Sequence, residues 1–208
     1  MIEDQRRSSA GARKKASGKN FTVETQRAPA ITPARLATRS LCRAANALER
    51  VTDDPTLWFF VILDLNRALY SALVAALSVS AFDHAYGEKL RMQWSEYWEN
   101  SRTDPNAQPP TSNHVPYLPE LLRLAQTEQL LHLADEQRDD ILKLNAYRNR
   151  LEHVKPETWA LHTTELPRIV RNVAVAFEPL FDRFQLHLEE DEVERTKFVL
   201  NRLKAAGG

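Results

Sequence analysis

Arg148, Asn149 and His153 lie close together near the end of one helical stretch, and their side-chain types suit work at a phosphodiester. A guanidinium grips phosphate oxygens through two parallel hydrogen bonds. An imidazole titrates near neutrality and can give or take a proton. A carboxamide orients either the imidazole or the ligand. Together the three can bind a phosphodiester and help a ribose 2′-hydroxyl attack it, with no metal required.

The spacing puts them within reach of one another. With Arg148 set at zero, Glu152 falls near about 40°, Asn149 near about 100° and His153 near about 140° around the helix. Leu144, Tyr147 and Leu151 fall between about 260° and 320°, so one face is apolar and turns inward. Asn149 and His153 are four apart and can touch. Asn145, at about 60°, shares the polar arc and is a further candidate for substrate binding. Arg150 and, just past the helix, His162 are two more. A second reading of the same residues involves no catalysis. Cations at a helix C-terminus meet the negative end of its dipole, and Arg148 with Glu152 makes an i,i+4 ion pair.

The segment Arg148-Asn149-Arg150-Leu151-Glu152-His153 resembles the signature of the HEPN superfamily: an arginine, a polar residue directly after it, and a histidine after four to six intervening residues. Here four residues intervene and the polar residue is Asn149. The resemblance extends over roughly residues 55–188, and the basic N-terminal segment and the last helix lie outside it. It implies a compact all-α bundle with the motif at the end of a late helix, followed by one more long helix. It also implies a metal-independent endoribonuclease working as a homodimer, with its cleft between two subunits and products ending in a 2′,3′-cyclic phosphate. On that model His153 is the acid/base, Arg148 holds the scissile phosphate and Asn149 positions either. Members often act as toxins or antiviral-defence effectors beside an antitoxin or regulatory protein. Others have lost activity and bind RNA or a protein partner. A helical adaptor with no nucleic-acid role is the reading in which the motif is coincidental.

Other chemistries find little support. His84, His114, His132, His162 and His187 have no metal-ligand spacing. There is no Gly-rich phosphate loop, so no nucleotide cofactor is expected. No Ser-His-Asp arrangement can be argued from spacing. The single cysteine, Cys42, excludes an intrachain disulfide and a Cys-rich metal site. It reads as a small buried hydrophobe.

The frame that must position the site reads as helices throughout. Of 208 residues only 5 are glycine, two of them the last two, which is too few turn glycines for a sandwich or a doubly wound sheet. Thr32-Pro33 starts a helix that ends near Val51. A strongly apolar helix spans about Pro55 to Ser80. It contains Asp64, Asn66 and Arg67 and so reads as a core helix rather than a membrane span. A third helix, from about Phe82 to Asn100, carries Trp94 and Trp98 on one face, expected in the core. The polar connection 101–116, with Pro105, Pro109 and Pro110, is long enough to be mobile or functional.

A short helix follows, from about Tyr117 to Leu131. The motif helix is capped by Asp135 and ends before Pro156. A long helix from about Thr164 to Glu189 is kinked at Pro179, and a charged helix from about Asp191 to Ala205 follows. The expected organisation is a basic tail over 1–30, a bundle of five to seven helices over 31–190, and a terminal helix over 191–208. Residues 1–39 carry nine Lys/Arg against three Asp/Glu, a net +6, and the remainder carries −6. The tail's composition predicts disorder, and its charge suits a polyanion. With no apolar leader, the expected location is the cytoplasm.

Overall fold

A computed structural model describes residues 30–79, 82–153, 156 and 158–206. The basic segment expected to be disordered lies outside the described residues. Among the described residues there are seven α-helices and no strand.

Helix α1 (Pro33–Leu48) begins as its sequence dictates. Thr32 is the N-cap, its Oγ1 accepting from the Arg35 N–H at 3.2 Å, with Pro33 in the first turn. Its buried stripe is Ala34, Ala37, Leu41, Ala44 and Ala45. That small-residue face lies along α2 (Trp58–Leu77), which presents Ala68, Ala72, Ala75 and Ala76 among Val61, Leu65, Leu69 and Leu73. Cys42 is half-buried against this core, and desolvation raises its thiol pKa. That environment suits an inert packing residue.

The stretch Pro55–Leu77 is long and apolar enough to cross a bilayer, but 67% of its most apolar window is buried inside the bundle. Helices α4 (Leu118–Thr127), α5 (Asp135–Glu152) and α6 (Leu166–Phe184) all pack on α2, which makes it the central helix. From α6 come Phe177, Phe181 and Phe184. The Phe184 ring meets the other two edge-on, at 6.2 and 5.7 Å between centroids. Pro179 lies within α6 without ending it. The carbonyl left without a donor there is that of Val175, on the exposed side of the helix.

Four expectations change. First, α7 (Glu190–Ala205) is no appendage. It buries Val199, Leu200 and Leu203 against α1 and α6, so everything from Ile31 onward is one compact unit and no boundary falls at 190/191. Second, the third helix, α3, spans only Glu88–Asn100, after a single tight turn at Phe82–Ala85. Third, its tryptophans lie outside the core. Trp94 is half-buried and Trp98 is 54% exposed, and they stack on each other at 5.8 Å. The reason is packing: α3 buries only Leu90 and rests mainly on the turn before it. Fourth, Asp135 does not cap α5. Ala134 is the N-cap, and its N–H donates to Gln137 Oε1 at 3.0 Å.

Two polar clusters fasten α5 to α6. Asp140, 2% exposed, accepts from Arg168 Nη2 at 2.9 Å and from Asn172 Nδ2 at 2.7 Å. Nearer the site, the Tyr147 hydroxyl and the Lys143 ammonium both donate to Glu165. Burial, then the hydrogen bond and charge of Glu165, push the Tyr147 phenol up to about 12 from its ordinary 10.0. Lys143 and Tyr147 in turn hold the Glu165 carboxyl below its usual value.

The protonated phenol is therefore favoured by folding. That stabilisation is complete below pH 10.0 and is lost as pH rises through about 12. An ultraviolet titration of tyrosine ionisation is expected to lose its most alkaline step in Tyr147→Phe. In Glu165→Gln the step should move toward neutral pH. An unchanged titration in both variants would contradict the contact.

Candidate active cleft

Helix α5 presents its two faces to different surroundings, as its sequence requires. Ile141 and Leu144 are buried, and Tyr147 and Leu151 pack against the core from its edge. The other arc, Asn145, Arg148, Asn149, Glu152 and His153, lines a cleft of about 890 Å³. That volume is within the range typical of ligand sites. The facing wall is α2, with Leu63, Asn66, Arg67 and Tyr70, and the loop before α4 adds Asn113, His114 and Tyr117.

Within the cleft, Asn66 is buried and donates from Nδ2 to Asn145 Oδ1 at 3.3 Å, tying the two helices together beneath the site. Arg148 Nη1 donates to Asn149 Oδ1 at 2.9 Å, and Arg148 Nη2 pairs with Glu152 Oε2 at 2.5 Å. The i,i+4 pair open to the sequence reading is thus formed. Arg148 also acts on Tyr70: burial raises the Tyr70 phenol pKa, and the nearby guanidinium opposes the rise. His153 ends α5 with its N–H on the Asn149 carbonyl at 3.0 Å, and its side chain is exposed at the cleft.

The structure brings together Arg148, Asn149, His153 and Asn145, and separates the other two candidates from them. The Arg150 guanidinium lies over the Trp159 ring at 4.5 Å, a cation–π contact, and Arg150 does not line the cleft. His162 lines a different cavity, beside Lys143, Tyr147, Glu165 and Arg168. That cavity lies along the side of α5 that carries Lys143 and Tyr147, away from the motif residues.

Sequence reading singled out no residue of the α2 wall, and it marked the connection 101–116 as mobile or functional without naming Asn113 or His114 as part of the site. A signal for the wall was available. Asn66 and Arg67 are polar interruptions in the most apolar helix of the chain, and Tyr70 lies one turn beyond them. Two guanidiniums, Arg67 and Arg148, and two imidazoles, His114 and His153, face one carboxylate, Glu152, among the lining residues. Arg67 makes no ion pair or hydrogen bond among the described residues, whereas Arg148 is partly neutralised by Glu152. The balance favours an anion. Among the described residues, no three His, Cys, Asp or Glu side chains converge as a metal site. Comparisons with protein-family models, with curated proteins and with solved structures returned no match to this chain.

Proposed function

We propose that the protein is a metal-independent endoribonuclease of HEPN type. His153 moves the proton of the attacking 2′-hydroxyl or the leaving oxygen, Arg148 holds the scissile phosphate, and Asn149 sets the guanidinium in place. The observation that carries this reading is that the motif residues share one cationic cleft with Arg67 and His114. A role as a toxin or defence effector, held in check by an antitoxin or regulatory protein in the cytoplasm, accords with the resemblance of the motif.

The reading includes a homodimer. Phe59 and Phe60, on the first turn of α2, are 41% and 57% exposed, and Leu63, one turn further, lines the cleft. An uncovered apolar surface so close to the site suits a second subunit. The test is cleavage of unstructured RNA in EDTA by wild type and Arg148→Ala. Wild type is expected to cut and the variant to lose at least about a hundredfold in rate. Equal rates would sink the assignment.

One observation favours a non-catalytic RNA- or protein-binding module: the Arg148–Glu152 pair keeps the guanidinium engaged. The two readings share one expectation for RNA. Removing the cleft's carboxylate in Glu152→Gln should tighten RNA binding by up to about fivefold, the worth of an exposed ion pair. Weaker binding in that variant would show that Glu152 instead positions Arg148 for its ligand.

A further inference from the structure

We propose that the wall of the cleft facing α5 is a subsite for one unpaired nucleotide: Tyr117 stacks its base and Arg67 takes the adjoining phosphate. The assignment rests on reading the cleft as an RNA site. It adds two residues outside the motif, and with them a physical reason for preferring a single strand to a duplex.

Tyr117 is 78% exposed, an unusual position for an aromatic ring. It is the N-cap residue of α4 but makes no capping hydrogen bond with its side chain, so the helix start does not require the ring. Its one aromatic neighbour among the described residues is His114, edge-on at 5.9 Å between centroids. Both rings line the cleft, and the faces of the Tyr117 ring are not covered by another described aromatic ring. A solvent-facing ring on a cationic groove is how proteins take up single-stranded nucleic acid, because each base offers a π-face. In a duplex those faces are already stacked on neighbouring bases.

Arg67 supplies the charge. It projects from α2 into the same cleft, exposed and with no ion pair among the described residues. A guanidinium left unpaired beside a neutralised one is the better placed to hold a phosphate that does not react. Arg148 then remains for the phosphate that does.

The experiment measures binding without turnover, in the His153→Ala background, by fluorescence anisotropy. The probes are a short unstructured RNA oligonucleotide and a fully paired RNA hairpin stem. The unstructured RNA is expected to bind more tightly. Adding Tyr117→Ala should weaken it by about tenfold or more with the salt dependence unchanged, while Tyr117→Phe binds as before. Adding Arg67→Ala should lower the slope of log affinity against log salt by about 0.7, and Arg67→Lys should keep it.

Equal affinity for the stem, no measurable binding of either RNA, a Tyr117→Phe protein as weak as Tyr117→Ala, or an unaltered slope in Arg67→Ala would each overturn the subsite. The two proposals fail separately. Binding as expected without cleavage by wild type sinks the nuclease and leaves the subsite standing. Cleavage with binding indifferent to Tyr117 sinks the subsite alone.

Discussion

The His153→Ala protein is expected to cut RNA about two to four orders of magnitude more slowly than wild type, the usual worth of a positioned acid/base. Its melting temperature should stay the same. The two expectations belong together because of where the residue sits. His153 is exposed and ends α5, and its hydrogen bond to Asn149 comes from the backbone, which alanine keeps. A large loss of rate without loss of stability is what a group acting on the substrate gives. Parallel kinetics and thermal melts separate this from a structural role. If the variant melts much earlier, the loss of rate says nothing about chemistry; if it cuts as fast as wild type, His153 is not the acid/base.

A second large effect is expected at Asp140, two turns before Arg148 on α5. Asp140→Ala should destabilise the protein by about 2–3 kcal/mol, because hydrogen bonds to a buried charge are worth about that much. The substitution removes the acceptor of both Arg168 and Asn172. Asn172 is buried, so its amide is left without a partner and without water. The Arg168 guanidinium is 37% exposed and keeps Glu136, so its share is discounted. For a chain of this size the melting temperature should fall by roughly 5–10 °C. Asp140→Asn, which keeps the shape and one acceptor, should fall between the two. A melt within a degree or so of wild type for Asp140→Ala would mean that the cluster does not fasten α5 to α6.

These two residues mark what was legible in the sequence. His153 was found because helical periodicity converts spacing into shared direction, and its neighbours Asn145, Arg148 and Asn149 followed by the same arithmetic. Asp140 was not singled out. An acid on a charged helix reads as solvated until the helix carrying Arg168 and Asn172 is known to pack against it. The same limit explains Arg67, Tyr70, His114 and Tyr117. They come from a different helix and a loop, and only tertiary packing sets them opposite α5.

All-α character was legible because glycine scarcity and three-to-four spacing act along the whole chain. Trp94 and Trp98 show where that logic stops. The periodicity put them on one face, as observed, but no sequence rule said that α3 would pack mainly on the Phe82–Ala85 turn. Arg150 is on α5 itself but about 200° round the helix from Arg148, off the polar arc, and His162, beyond the helix, lines a different cavity.

The chemistry at the cleft can be read from one RNA synthesised with and without a single 2′-deoxynucleotide at the site the wild-type enzyme cuts. The reaction is run in EDTA and the product ends are identified by mass. The all-ribo strand is expected to be cut to a 2′,3′-cyclic phosphate and a free 5′-hydroxyl, and the substituted strand to stay intact at that position. Cutting of the substituted strand there, or products bearing a 5′-phosphate, would show that the 2′-hydroxyl is not the nucleophile and that His153 and Arg148 do not act as assigned.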